Sequence, residues 1–405
     1  MAKRTIFVPH CSELLTDHLP HGDGLIAHGF ISHLARRGHR LHVAVQGASL
    51  REPLPANVTL HRISLSFSGP IWGRLEYMVR VRELLNLLKR DVPFDLIHQM
   101  NPVFAGVSLA LIGSGVPLVL GTYVASWPHT LNAKSSKGWV RRSLARCRDS
   151  IARLQQQRAD ALLLTTPAAS NRLPKPAAVR ERVHLLPHGI DTELFSPGPS
   201  VQEKTEPTPG PILFLANVVE YKGIFTLIEA FPAVAREVPG IRLQIAGDGN
   251  RLDEARRRAS RLPCASQVEF LGRQERADTP ALYRNCGVYC LPSFGEPYGG
   301  TLVEAMSCGK AVVVTEAGGP PHIVLREGAF FVPVGDAEAL SKALIEALRD
   351  PVRLKAMGRH NRRVVEKSMS WERVTDRLEN IYESVLSGGA AMGRANSLTT
   401  AGEPG

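Results

Sequence analysis

Residues 290–323 read CLPSFGEPYGGTLVEAMSCGKAVVVTEAGGPPHI, and the order of residue types in this stretch decides the architecture. An apolar strand run, Val288–Leu291, leads into a loop carrying Glu296. Gly299 and Gly300 follow, and then an amphipathic helical run, Thr301–Cys308, carries Glu304 one turn inside. A second apolar run, Ala311–Thr315, closes the unit. Short buried strands alternating with helices build a parallel sheet covered on both faces. Glycine lets the backbone come close to a ligand, and a helix N-terminus offers unpaired N–H groups and a positive dipole end. Phosphate settles at such a place. A carboxylate on each side suits the hydroxyls of a sugar and of a ribose, so the stretch reads as a nucleotide-sugar site.

The same alternation extends in both directions. After residue 210, strands are expected at Ile212–Ala216, Leu243–Ala246, Val268–Leu271 and Phe330–Val334, with helices at Ile224–Glu237, Asp253–Arg261 and Ala337–Leu348. Before residue 196, strands are expected at Thr5–Val8, Leu41–Val45, Asp95–His98, Pro117–Gly121, Ala161–Thr165 and Val183–Leu186. Helices are expected there at Ile26–Arg37, stopped by Gly38 as C-cap, and at Leu75–Lys89. Between the halves, SPGPSVQEKTEPTPG (196–210) is rich in Pro, Ser and Thr and reads as a linker. The expected organisation is α/β, with two Rossmann-like, doubly wound parallel-sheet domains at 1–195 and 211–387 facing each other across a cleft, and a disordered tail at 388–405. The last helix is free to pack back on the first domain. Ligands in such folds sit at the carboxyl ends of the strands.

Length and composition agree. A chain of 405 residues exceeds what one core usually supports, and 44% apolar with 21% charged residues is a globular composition. No run approaches 18 uninterrupted apolar residues, and the N-terminal MAKRTIFVPH lacks the apolar core of a secretory signal. The expected location is therefore cytoplasmic, with peripheral contact to the inner face of the cell membrane. The six cysteines (11, 147, 264, 286, 290 and 308) show no metal-type pairing and read as reduced thiols. Seven of the 14 histidines fall within the first 42 residues without metal-site spacing. No metal is expected.

The net charge of +11 lies entirely in residues 1–200, which hold 24 Lys and Arg against 13 Asp and Glu; residues 201–405 hold 25 of each. The densest part is Lys134–Arg158, with Trp127 and Trp139 close by. A basic helix flanked by tryptophan suits an anionic membrane surface or an acidic substrate, and equally an ordinary solvated face.

With these residues in view, the chain resembles a retaining glycosyltransferase of the GT-B fold, in the group called glycosyltransferase family 4, or glycosyl transferases group 1. The similarity runs from Thr5 to about Leu386. It is strongest over Pro211–Gly223, Ile245–Gly249 and Leu291–Pro321, which holds the E-x7-E motif. The resemblance implies that Glu296 meets the donor sugar and Glu304 the ribose, while the backbone at Tyr298, Gly299, Gly300 and Thr301 holds the diphosphate. Lys222 matches the family's phosphate-binding lysine. Asn217 stands where members commonly carry Arg, so it brings a hydrogen bond without charge. The base is expected near Gly272 and Arg273, through backbone groups. In the first domain, His21-Gly22-Asp23-Gly24 fits a glycine-rich loop facing the diphosphate or the acceptor, and His10 and His21 are candidate acceptor contacts. The family's histidine after the fifth strand is unassigned in VLGTYVASWPH (119–129), with Gly121 or Tyr123 where it is expected. Pro187-His188-Gly189-Ile190-Asp191 and Asp248 read as structural, and Gly318-Gly319-Pro320 as a turn facing the cleft.

No Asp-x-Asp pair and no Walker-type glycine loop occurs, in keeping with metal-independent transfer and against a nucleoside triphosphatase. No cofactor is expected; a nucleotide-diphosphate sugar is the donor substrate, and a glycan or lipid-linked envelope precursor the acceptor. Nucleic acid is not an expected partner. Two other classes use the same features: a sugar-nucleotide epimerase on this fold, and a non-catalytic binder working through the basic half, which would show salt-sensitive binding without turnover.

Overall fold

The computed structural model describes residues 2–19, 21–67, 69, 71–102, 106–125, 139–173, 181–198 and 210–388, with backbone alone for 139–146. The expected linker centre and tail, and Trp127, Lys134 and Lys137 of the basic run, lie outside these residues. So do the side chains of Trp139, Arg141, Arg142 and Arg146.

In the first half the elements are β1 (Thr5–Val8), β2 (Leu14–Thr16), α1 (Gly22–Arg36), β3 (Arg40–Val45), β4 (Gly47–Ser49), β5 (Val58–Arg62), α2 (Trp72–Leu88), β6 (Leu96–Gln99), β7 (Leu118–Tyr123), α3 (Trp139–Arg158), β8 (Ala161–Leu164) and β9 (Val183–Leu185). Seven of these strands form one sheet in the order β5-β3-β1-β6-β7-β8-β9, and β2 pairs with β4 beside it. The second half holds β10 (Ile212–Leu215), α4 (Ile224–Glu237), β11 (Leu243–Ala246), α5 (Leu252–Ala259), β12 (Val268–Gly272), α6 (Thr279–Asn285), β13 (Val288–Leu291), α7 (Gly300–Ser307), β14 (Val312–Thr315), β15 (Ala329–Val332), α8 (Ala337–Arg349), α9 (Pro351–Ser368) and α10 (Trp371–Leu386). Its sheet runs β12-β11-β10-β13-β14-β15. Every strand pair with a described register is parallel. In both sheets the order steps outward from a central strand in both directions, the doubly wound arrangement that leaves a crevice at the carboxyl edge.

Burial explains the strand runs. β13 and β14, VYCL and VVVT, are buried at every residue, as strands with helices on both faces must be. β5 is an edge strand with mixed burial, so VTLHR shows no continuous apolar run in the sequence.

Packing does not follow chain order at the boundary. Ile190 and Phe195 belong to the core of the second domain. α10 does the reverse: Trp371, Val374, Leu378, Ile381 and Tyr382 join the first domain's core with Phe30, Ile31 and Leu34 of α1. The Trp371 ring meets Phe30 edge-on at 5.1 Å and stacks on His33 at 5.1 Å. Polar ties flank this seam, with Arg37 donating to Asp376 and Glu379 at 2.6 Å and Arg4 to Glu383 at 2.8 Å. The ranges 1–195 and 211–387 are thus stretches of chain, whereas each core borrows residues from the other's stretch.

The expected glycine-rich loop at 21–24 is not a loop. α1 begins at Gly22, and His21 is its N-cap, with Nδ1 accepting from the Gly24 N–H at 3.1 Å. The sequence placed the helix start four residues late because Gly22 and Gly24 are poor helix formers, and a cap supported by packing on β2 overrides that preference.

Candidate active site at the carboxyl ends of two parallel sheets

Lys222, Glu296 and Glu304 come together through three local devices. The first is the turn after β10. Tyr221 O accepts from the Phe294 N–H at 2.7 Å, which stitches this turn to the loop after β13. Gly223 has φ +76°, and a Cβ there would lie 1.9 Å from Pro292 O, so only glycine permits the approach. That contact brings Lys222 beside Glu296: Nζ donates to Oε2, and both side chains are almost entirely buried.

The second device is a backbone buttress. Glu296 and Gly318 form a parallel bridge, and the Gly319 N–H donates to Glu296 O at 2.7 Å. A Cβ on Gly318 would stand 2.2 Å from the same carbonyl. The Gly318-Gly319 turn therefore fixes the main chain that carries Glu296.

The third is α7 itself. Gly299, at φ +95°, caps it with no side-chain hydrogen bond, and the first intrahelical bond is that of the Val303 N–H to Gly299 O at 3.1 Å. The amides of Gly300, Thr301 and Leu302 precede that bond, an arrangement that suits an anion. Thr301 Oγ1 is hydrogen-bonded to the Tyr289 hydroxyl at 2.8 Å, and Tyr289 also donates to Leu215 O at 3.1 Å.

Glu304, one turn inside α7, has a donor on each oxygen. Arg276 Nη1 donates to Oε1 at 2.8 Å and the Tyr283 hydroxyl to Oε2 at 2.9 Å. Burial, together with the adjacent Glu304 charge, holds the Tyr283 phenol well above its usual range, so it stays a donor. Burial likewise pushes Tyr221 up to about 12, with Glu296 adding to the shift.

The remaining expected residues fall in different places. Asn217 follows β10 and Arg273 follows β12; both are exposed on the carboxyl edge that Glu296 also occupies. Gly272 ends β12, and its carbonyl accepts from the Gly247 N–H at 2.7 Å. Tyr298 contributes more than backbone. Its buried ring lies 4.6 Å from that of His188, and its hydroxyl donates to His188 O at 3.1 Å. His188 follows β9 and Tyr298 follows β13, so this contact joins the carboxyl edges of the two sheets. The His188 ring is held at Nε2 by Thr122 Oγ1 at 2.7 Å.

The first domain requires corrections. His10 is not an acceptor contact at the surface: it is fully buried, edge-on to Tyr77 at 5.6 Å, and burial pulls its pKa down to about 4. His21 is engaged as the α1 cap. Asp23 lies in the first turn of α1 and accepts from Asn101 Nδ2 at 3.1 Å, while Gly22 and Gly24 are helical backbone.

Sequence reading missed Arg276, Tyr283 and Tyr289, and it took His188 as structural. Arg276 sits in the polar run RQERAD, which has no periodicity. Tyr283 and Tyr289 read as ordinary apolar positions of a helix and a strand, and only their hydroxyl partners reveal the role. Among the described residues no group of three or more His, Cys, Asp or Glu could hold a metal ion, and no helix is long and apolar enough to cross a membrane.

Comparison with known proteins agrees with this geometry. Residues 24–194 match the Glycosyltransferase Family 4 family, and residues 200–364 match Glycosyl transferases group 1. The chain is 33% identical over 214 residues to the GDP-mannose-dependent monoacylated alpha-(1-6)-phosphatidylinositol monomannoside mannosyltransferase of Corynebacterium glutamicum, across 49% of this chain and 55% of that protein. The match thus spans about half that relative's length. A longer match, 26% identical over 382 residues, covers 90% of this chain and 95% of the phosphatidyl-myo-inositol mannosyltransferase of Mycobacterium leprae. In fold, the chain superimposes on the sucrose-phosphate synthase of Thermosynechococcus elongatus with a TM-score of 0.73 at 20% identity, over 95% of this chain and 100% of that one. Two family matches that together reach from residue 24 to residue 364, on two parallel-sheet domains meeting at their carboxyl edges, make this chain a GT-B-fold glycosyltransferase of the family 4, group 1 type.

Proposed function

We propose that the protein is a retaining, metal-independent hexosyltransferase that draws on a nucleoside-diphosphate sugar and glycosylates a hydroxyl of a glycan or lipid-linked envelope precursor. The observation that carries this reading is the Lys222–Glu296 pair beside the start of α7, whose first amides receive no side-chain cap. Breaking the anomeric C–O bond leaves positive charge on the sugar and negative charge on the diphosphate. Preorganised cations and amides aimed at that leaving group lower the barrier. Lys222 has three N–H donors, so it can hold Glu296 and a phosphate oxygen together. Glu296, kept in place by Lys222, accepts from a sugar hydroxyl, and Glu304 accepts from the ribose. The α7 amides take the diphosphate.

Transfer on the front face follows. The acceptor oxygen bonds the anomeric carbon on the face from which the phosphate oxygen departs. The acceptor proton passes to that phosphate oxygen and leaves with the nucleoside diphosphate. Asp23 already occupies the N-terminus of α1, which favours a hydroxyl-bearing acceptor over a second anion there. Closure of the domains aligns the reactants and excludes water.

A membrane-linked acceptor is supported by the first domain's surface. Phe67, Ile71, Trp72, Leu75 and Val79 expose apolar side chains on and just before α2, and Ile151 and Leu154 do so on α3. Met78 and Ile151 both abut Gly106, which sets the two helices side by side. Arg148, Arg153 and Arg158 are exposed on α3. Apolar side chains among guanidinium groups suit an anionic bilayer on the cytoplasmic side. The relatives' names make GDP-mannose and a phosphatidylinositol lipid the first substrates to try.

The test is a donor screen with GDP-, UDP- and ADP-sugars, with lipid and soluble acceptors, with and without EDTA. Nucleoside diphosphate release, a sugar-bearing product of unchanged anomeric configuration and indifference to EDTA are expected. An inverted product, or an isomerised donor without transfer, would overturn the proposal.

A further inference from the structure

We propose that Arg276 is the positioning residue for the donor's ribose: it sets the plane of the Glu304 carboxylate, and its contribution appears in nucleotide affinity. This rests on the reading that Glu304 meets the ribose. A carboxylate offers about four lone-pair sites. Arg276 takes one on Oε1 and Tyr283 one on Oε2, so each oxygen keeps an acceptor direction. Two adjacent acceptors match the two hydroxyls of a vicinal diol, provided the carboxylate cannot rotate.

Tyr283 alone cannot prevent that rotation. It is fully buried and packs edge-on to Tyr289 at 5.6 Å and Phe195 at 6.1 Å, so it fixes Oε2 only. The second constraint arrives from the loop between β12 and α6. The Arg276 guanidinium carbon lies 4.9 Å from the centroid of the Phe195 ring, and Arg276 O accepts from Thr279 Oγ1 at 2.9 Å. Phe195 is itself tied to α7, since its carbonyl accepts from Ser307 Oγ at 2.6 Å and from Arg362 Nη1 at 2.8 Å. Arg276, Phe195 and Glu304 thus form one closed loop of contacts around α7. A planar guanidinium can stack on the ring while donating to the carboxylate; a lysine ammonium cannot do both in the same way.

The bland alternative is a tie that merely keeps residues 273–278 in place. Titration of the full chain with GDP, UDP and ADP, and with their 2′,3′-dideoxy analogues, separates the two. The variants are Arg276→Met, Arg276→Lys and Glu304→Gln, with folding checked by circular dichroism. For the nucleotide that wild type binds best, Arg276→Met is expected to weaken the ribonucleotide about tenfold and the dideoxy form less than about twofold. Donor KM is expected to rise about tenfold with kcat nearly unchanged, and Arg276→Lys to fall between. Equal weakening of both nucleotide forms, or of neither, would overturn the proposal and leave a structural tie. If Glu304→Gln weakens the ribonucleotide while Arg276→Met does not, only the Arg276 role fails. If neither variant discriminates, the ribose reading fails first and the Arg276 role with it.

Discussion

Lys222 Nζ donates to Glu296 Oε2 across the two loops that leave β10 and β13, and the pair is buried at the carboxyl edge of the second sheet. The contact joins the group expected to neutralise the diphosphate to the group expected to hold the sugar. Each orients the other before donor arrives. Breaking one partner of a buried pair leaves an uncompensated charge, a cost on the order of 3–5 kcal/mol.

Lys222→Met is therefore expected to lower kcat/KM by roughly 10²–10³, as for loss of one oxyanion donor. It should also lower stability, and adding Glu296→Gln should recover part of that loss. A double-mutant cycle by urea denaturation would measure a coupling of about 1–3 kcal/mol. Additive single effects would show that the pair is not coupled.

Gly223→Ala tests the turn that brings the pair together. The new methyl would stand 1.9 Å from Pro292 O on a backbone at φ +76°. A loss of at least about 1–3 kcal/mol is expected from strain alone. Donor KM should rise because Lys222 moves with the turn. Differential scanning calorimetry and donor kinetics would check both, and unchanged values would place the turn's importance elsewhere.

Trp371→Ala probes the return of α10 to the first domain. The ring meets Phe30 and His33, and Gly29 and Gly189 leave room for it. Truncating a buried tryptophan costs on the order of 3–5 kcal/mol. Because the ring belongs to the first domain's core, that domain should lose its stability first, which limited proteolysis followed by mass spectrometry would locate.

Acid should act at the same seam. His98 is fully buried, its Nε2 donates to Gly121 O at 2.8 Å, and its Nδ1 accepts from the Tyr382 hydroxyl of α10 at 2.6 Å. That pattern requires a neutral ring, and burial lowers its pKa from 6.5 to about 4. The unfolded chain takes up the proton below 6.5 while the folded chain does not until about 4. The contribution, at most about 3 kcal/mol, is whole above pH 6.5 and fades as pH falls toward 4. His98→Gln is expected to flatten that part of the Tm profile; His10 falls in the same window and will leave a residual slope.

Much of this protein is legible in the sequence because its strands are buried on both faces. Runs such as VYCL and VVVT need no partner to be recognised, and α4 spans Ile224–Glu237 in sequence reading and in structure alike. The E-x7-E stretch was legible for the same reason: strand, glycine turn and helix are local, and they bring the two carboxylates onto the edge where a ligand sits. Three things were not. Gly22–Gly24 became helix because a cap and a neighbouring strand outweigh weak propensity. His10 became core because a histidine's surroundings are not written beside it. Arg276 and Tyr283 became partners of Glu304 because a loop and a helix separated from it by more than 20 residues fold against it. The amino-acid order by itself determined the two sheets and where Glu296 and Glu304 lie, since periodic burial and turn chemistry act over a few residues. Only the tertiary structure decided which cation faces which carboxylate, and which domain owns α10, since those contacts join residues 28 to 379 positions apart whose pairing depends on the packed whole.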